Sequence, residues 1–558
     1  MRNYINKAII ACATLLSLAS CDLDREPLTS YGAGDFWTNE RNAYLALTGV
    51  YHGGIAYGSE EYSPTDWWSY QGLIMLEVVS DNAWDRRGLT SNFGIMASGT
   101  LSASRTGATA NYWNFSYNKI ARANRFLQEW DNYGGEITPT MLRYRAEARF
   151  LRATQYFYLA SFFHDVPLVT ENLDMDKANV ATKTPRAQIA AWVINEMKEA
   201  AADLPKWSEV AAENNYGRVC KQAALAFKGR TELMMEQWNE AAATFKEIID
   251  LNDNQIASDY AALFQPATAD ALSENIFVAR YDNDKCGTGM LKQFNPVMDG
   301  AVGGWCLFNV TASLFEAYPF ADGSEFSYHS PLYNSADLAE NRDPRLAMTL
   351  YWNGAKFGQG IYNCDPDKNA ANGKDGLHPS FQSTKTGYMM RKYIDEDYIY
   401  TGGDNNKYPA KLPVIRYAEV LLSYVEAKME AGTLTSGDLQ YLNQVRQRPG
   451  VNMPAVTTVA AAQLRPILRA ERRVELALEG IRLWDLLRWG IAAETISGDV
   501  WGASFPGSPA TTNRNKSNGK TDPEGVDRWY VGTRDYASGP LVWPISQSEI
   551  DINPNLGK

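Results

Sequence analysis

Residues 219–251 read VCKQAALAFKGRTELMMEQWNEAAATFKEIIDL, and this stretch decides the fold. Apolar residues recur at three- and four-residue steps from Val219 to Met235, pause at Gln237-Trp238, and resume from Asn239 to Leu251, which is the signature of two amphipathic helices joined by a tight turn. Ala223, Ala226 and Gly229 fall where the two helices must approach closely, so the pair is expected to be an α-hairpin whose apolar face needs further cover.

The pattern recurs on both sides. Met141 to Phe163 carries Leu142, Ala146, Phe150, Ala153, Phe157 and Ala160 on one face. Tyr112 to Trp130, Gln188 to Leu204, Val414 to Ala431 and Gly437 to Arg448 have the same character, and a last long helix is expected from Val459 to Trp489, ending at Gly490. The 219–251 pair resembles a tetratricopeptide unit. A single pair cannot bury its apolar face alone, so about four such pairs predict a mainly α protein built as a right-handed tetratricopeptide-like stack.

Between the pairs the composition changes. Residues 53–111, 253–410 and 497–543 are rich in Gly, Asn, Asp, Ser and aromatics, and segments this long inside a body usually carry function. The closing Leu541-Val542-Trp543-Pro544-Ile545 is apolar enough to pack back on the body, and Ser546 to Glu549 forms a capping box.

The start of the chain is a separate unit. Arg2 and Lys7 precede an apolar run from Ala8 to Ala19, shorter than the ~20 residues that span a bilayer core. Leu18-Ala19-Ser20-Cys21 has the small-residue pattern of a bacterial lipoprotein cleavage site, so residues 1–20 are expected to be a signal peptide and Cys21 the lipidated first residue. Asp22, Asp24 and Glu26 begin a polar tether over 21–35, leaving 36–558 as a single body.

Composition excludes several classes. With 53 basic and 65 acidic residues the net charge is −12, which disfavours nucleic acid and, among sugars, favours neutral chains. Past Cys12 and Cys21 the thiols are Cys220, Cys286, Cys306 and Cys364; no C-x-x-C occurs, which argues against zinc, and three disulfide pairings are open, Cys286 with Cys306 being nearest in sequence. His52, His164, His329 and His378 are scattered, with neither H-E-x-x-H nor G-x-S-x-G. Asp365, Asp367 and Asn369 begin like a calcium loop, but Ala370 stands where glycine is needed and Gly376 where the bidentate glutamate belongs, so a polar turn is expected and no metal. Glu471 and Glu475 share a helix face with Arg472 and Arg473 nearby, a pattern of scaffold salt bridges rather than of a glycosidase pair flanking a substrate.

The 16 Trp and 31 Tyr exceed what a core of this size needs, and several stand in polar loops. Flat apolar rings beside Asp, Asn or Arg are what a sugar chain requires, the ring for its C–H face and the polar groups for its hydroxyls. The candidates are Trp67, Trp84 and Trp305, with Asp66, Asn82, Asp85, Tyr281, Arg391 and Tyr393 as polar or edge groups. Gly303 and Gly304 are expected to let the backbone approach a ligand beside Trp305.

In combination these residues resemble the RagB/SusD (SusD-like) family along nearly the whole chain. The resemblance is carried by Phe36-Trp37-Thr38-Asn39-Glu40 through Tyr51; Arg145-Ala146-Glu147 through Tyr158 and Asp165-Val166-Pro167-Leu168-Val169; Ala317-Tyr318 with Asp322-Gly323; Arg342-Asp343-Pro344-Arg345; Arg416 to Leu422; Glu471 to Ala477 with Trp484-Asp485-Leu486; and Asn553-Pro554-Asn555-Leu556. It implies a helical scaffold with a loop-built face that binds oligosaccharide, outer-membrane display through the lipid on Cys21, and a SusC-like TonB-dependent transporter as partner. It also implies ligand-contacting aromatics at Trp84 and Trp305, with no catalytic residues and no cofactor. The alternative is a transporter lid whose ligand is a peptide or glycopeptide.

Overall fold

The computed structural model describes residues 37, 39–52, 64–133, 135–283, 285–298, 302–368, 375–378 and 382–558. The expectations for Cys21, the signal peptide and the tether lie outside these residues, as does Asn369.

Helices dominate: α1 Glu40–His52, α2 Thr109–Asp131, α3 Pro139–Phe162, α4 Arg186–Asp203, α5 Lys221–Met234, α6 Trp238–Asp250, α7 Tyr417–Glu430, α8 Leu439–Arg446, α9 Ala461–Glu475 and α10 Arg482–Arg488. Local chemistry sets their ends. Thr138 caps α3 by accepting the Met141 N–H at 3.2 Å, and Pro139 occupies the first turn, where its missing donor costs nothing. The helices pack in succession, α2 on α3, α3 on α4, α4 on α5, α5 on α6, and then α6 on α7 across the intervening 166 residues of chain. The tetratricopeptide-like stack is therefore continuous in space although interrupted in sequence. Gly229 permits the α5–α6 approach: a Cβ there would stand 2.6 Å from the Phe245 ring.

The loop-rich regions are organised by short antiparallel strand pairs, with no barrel among the described residues. β1 (Ala83–Asp85) pairs with β3 (Phe308–Val310), β2 (Asn275–Arg280) with β4 (Lys411–Arg416), and β5 (Gly498–Ser504) with β6 (Arg528–Arg534). The tail returns as expected. Trp543 is buried, stacks on Phe162 at 4.4 Å and donates its N–H to the Phe162 carbonyl at 2.8 Å.

One expectation is corrected. The long helix over 459–489 is broken between α9 and α10, where Leu478 and Gly480 take positive φ (64° and 73°) and a Cβ on Gly480 would lie 2.5 Å from the Leu73 carbonyl oxygen. The four described cysteines, whose pairing the sequence leaves open, are unbridged: Cys220, Cys306 and Cys364 are buried in the core, and Cys286 is half-buried. Asp365 and Asp367 accept backbone N–H groups from Asp367 and Ala510, both at 2.9 Å, which is turn chemistry.

A buried ionic cluster fastens the 253–410 region to the stack. Arg345, Lys392, Arg416, Arg446 and Arg448 meet Asp343, Glu274, Glu471, Glu475 and Glu479, five cations against five carboxylates. Glu475 alone accepts from Arg345 (2.8 Å), Arg416 (3.0 Å) and Arg448 (2.7 Å). Both Glu471 and Glu475 are thus consumed by arginines inside the protein, where no substrate reaches them.

Candidate functional site

A cavity of about 620 Å³ opens where the helical stack meets the β2 region. Several distant parts of the chain, Asn406 among them, build it. The C-terminal turn of α1 brings Tyr51 and His52; the turn at 66–70 brings Asp66, Trp68 and Tyr70 beside Lys119 of α2; Tyr216 to Arg218 precede α5; and β2 with the following segment brings Phe277 to Tyr281, Cys286 to Gly289, Lys292 and Gln293, and Trp305. Volume and lining suit a small oligosaccharide in kind, with aromatic rings interleaved with hydrogen-bonding groups.

Each wall is held by identifiable contacts. Trp68 donates Nε1–H to the Tyr158 hydroxyl at 3.0 Å and sets its ring edge-on to Phe277 at 5.0 Å. Asp66 accepts the Trp68 N–H at 3.0 Å and forms a buried ion pair with Lys119. The Arg218 guanidinium forks onto Glu147 at 2.6 and 2.8 Å and lies 5.5 Å from the Tyr51 ring. Burial works to lower the Arg218 pKa, but the Glu147 carboxylate overrides it and holds the group above its ordinary value. Burial and then Glu147 push the Tyr51 phenol well above its usual range, so it stays a neutral donor. At His52 burial comes first, followed by the charges of Arg122 and Lys119, and together they lower the imidazole pKa. Arg280 spans Asp270, at 2.7 Å, and the Tyr216 carbonyl, at 2.8 Å. Gly217 is required beside it, with φ of +86° and a Cβ position 2.8 Å from Arg280 Cδ.

Trp305 is half-buried at the cavity wall, with its N–H donated to the Lys292 carbonyl at 2.9 Å. The two preceding glycines serve the fold rather than a ligand: Gly303 takes φ of +68°, and a Cβ on Gly304 would fall 2.1 Å from the Asn295 carbonyl oxygen.

Of the nine residues singled out in the sequence, Asp66, Tyr281 and Trp305 come together on this cavity. The others do not. Trp84 is corrected to a core plug, 6% exposed, because β1 is tied to β3 and its indole is pressed between Gly532 and the Arg534 guanidinium, 5.1 Å from the ring centroid. Trp67 is 1% exposed in an aromatic pile with Tyr158 (4.4 Å), Phe162 (5.6 Å) and Trp543 (6.2 Å). Asn82 is buried between Glu77, to which it donates at 2.7 Å, and Arg473, from which it accepts at 3.0 Å. Asp85 is buried under the fork of Arg87. Tyr393 is buried and donates to the Leu478 carbonyl at 3.2 Å. Arg391 is partly exposed but pairs with Glu396 at 3.1 Å, away from the cavity lining.

Sequence reading missed Trp68, Tyr70, Tyr216 and the basic residues Lys119, Arg218, Arg280 and Lys292. Trp67 and Trp68 are adjacent in a segment without period, so nothing in the sequence says which indole turns to the core. Lys119 and Arg218 lie in ordinary helical or turn contexts and meet only through the stacking of α1, α2 and α5.

Comparison with known proteins bears on this architecture. The model described as the SusD family matches residues 273–558, and one described as "Starch-binding associating with outer membrane" matches residues 75–233. A SusD-like protein of Formosa agariphila is 23% identical over 525 residues, covering 88% of this chain and 91% of its own. A SusD-like carbohydrate binding protein of known structure from Bacteroides fragilis is 46% identical, superposes with a TM-score of 0.88, and is aligned over 93% of this chain and 99% of its own. The surface glycan-binding protein A of Bacteroides thetaiotaomicron, solved in complex with laminarihexaose, has a TM-score of 0.65 at 20% identity over 93% of this chain and 99% of its own, and so shares the fold. Matched by the family model over half its length and aligned almost end to end with a 46% identical SusD-like relative, the chain belongs to the SusD family.

Proposed function

We propose that this protein is a non-enzymatic, cell-surface oligosaccharide receptor, held in the outer membrane by a lipid on Cys21, that passes its ligand to a SusC-like TonB-dependent transporter. The observation that carries the binding step is the cavity of about 620 Å³ in which Trp305 and Tyr281 stand half-buried beside Asp66 and Arg280. Sugar rings would stack on the indole, and hydroxyls would meet the polar groups around it. The reading is supported by the 46% identical relative, which is a carbohydrate binding protein. Absence of chemistry is argued from Glu471 and Glu475, the helix-sharing carboxylates, both bound to buried arginines.

The test is calorimetric titration of the mature chain with a panel of oligosaccharides, for the parent and for Trp305→Ala. We expect at least one glycan to bind and the variant to weaken it about tenfold, the scale of one lost stacking contact. Binding left unchanged by Trp305→Ala would remove the cavity from consideration, and release of shortened products would refute the non-enzymatic reading.

A further inference from the structure

The whole chain is acidic at −12, yet the cavity is not. Its lining, among the described residues, holds Lys119, Arg218, Arg280 and Lys292 against a single carboxylate, Asp66. Three of these cations are answered: Lys119 by Asp66, Arg218 by Glu147 and Arg280 by Asp270, although Asp270 also serves Lys411 at 3.7 Å. Lys292 differs. Its ammonium donates to the Gly303 carbonyl at 2.8 Å and lies 5.8 Å from the centre of the Trp305 ring, two neutral partners that orient the charge without cancelling it. Among the described residues no carboxylate forms an ion pair with it.

Resting on the reading of this cavity as the glycan site, we propose that its ligand is an acidic oligosaccharide, one whose carboxylate or sulfate pairs with Lys292 while a sugar ring stacks on Trp305. The juxtaposition brings both contacts within reach of one ligand, because the ammonium lies 5.8 Å from the centre of the indole ring on which a sugar would stack. A hydroxyl could take one of the remaining ammonium donors, but only an anion also neutralises the charge, in a recess where water competes less than at an open surface. Other groups of the lining agree in sign: beside burial, the charges of Arg122 and Lys119 help to lower the pKa of His52. Overall net charge governs long-range encounter and solubility; it does not fix the field inside one recess.

The experiment is titration of the mature chain with uronate oligosaccharides, sulfated oligosaccharides and neutral glucan and xylan oligosaccharides, adding for each uronate that binds its carboxyl-reduced neutral counterpart. Parent, Lys292→Gln and Trp305→Ala are compared at low and high salt, with thermal melting to verify that each variant is folded. The expected result is that an acidic probe binds, that Lys292→Gln and carboxyl reduction each weaken it about tenfold or more, and that salt weakens it in the parent more than in Lys292→Gln. The uronate and sulfate arms tell the two sources of charge apart. If instead a neutral probe binds best, is weakened by Trp305→Ala and is unaffected by Lys292→Gln, the acidic-ligand proposal is overturned while the glycan site stands. If no probe of any class binds, both readings fall together.

Discussion

Neutralising Glu475 should unbalance the interior of this protein by one full charge. Its carboxylate meets Arg345, Arg416 and Arg448 in a cluster of five cations and five anions, all three arginines having fully buried side chains. Burial alone would raise the Glu475 pKa, but Arg448, Arg416 and Arg345 outweigh it and hold the group far below the ordinary carboxylate range, so it is ionised at neutral pH. Glu475→Gln keeps the shape and leaves five cations facing four anions, and breaking a buried pair from one side costs about 3–5 kcal/mol. With an unfolding entropy of ~2.1 cal/mol/K per residue, a chain of 558 residues should lose about 3–4 °C in Tm. A thermal melt followed by circular dichroism reads this directly. The control is Glu430→Gln, which removes a partly exposed surface pair with Arg465 and should shift Tm by less than about 1 °C. Arg448→Met added to Glu475→Gln restores the balance at four against four and should recover part of the loss. A Glu475→Gln protein melting within a degree of the parent would refute the argument that charge balance sustains this cluster.

Other substitutions separate structure from binding. Trp84→Ala should cost about 3–5 kcal/mol of stability by emptying the space under Arg534, while leaving glycan affinity in a titration unchanged, because the indole faces the core. Gly480→Ala should cost roughly 2–4 kcal/mol in urea unfolding, since the position combines positive φ with a Cβ site 2.5 Å from the Leu73 oxygen. Burial pushes the Glu77 carboxyl up to about 7, against the opposing hydrogen bonds from Asn82 and the Gly480 N–H and the charge of Arg482. With the folded pKa above the unfolded value, its stabilisation is fully present below about pH 4.5 and is lost as pH rises through about 7, a change of roughly 3 kcal/mol. Comparing urea midpoints at about pH 5 and pH 8 should therefore show a decline in the parent that Glu77→Gln lacks.

Much of the scaffold is legible without coordinates. Helical periods place α3, α5, α6 and α7 within a few residues, because an amphipathic helix writes its buried face into the chain at every third or fourth position. The break between α9 and α10 is less visible: Gly480 was available as a clue, but the run from Glu471 to Trp489 keeps helical character, and what stops the helix is the close approach of Leu73 from a distant segment. The site was harder still. Trp305 could be nominated because an indole next to two glycines is unusual, whereas Trp84, in an equally polar run, turned inward under Arg534, a residue 450 positions away in sequence.

The amino-acid sequence alone determined the helical class, the repeat-like stacking and the family resemblance, since these rest on local periodicity and on short motifs that survive without knowledge of contacts. Tertiary structure decided which aromatic rings meet solvent, which carboxylates are spent on arginines, and the sign of the charge in the cavity. Those properties depend on what distant segments bring against each side chain, and Lys292 beside Trp305, Glu475 among three arginines and Trp67 sealed beneath Trp543 are each settled by packing that no local stretch encodes.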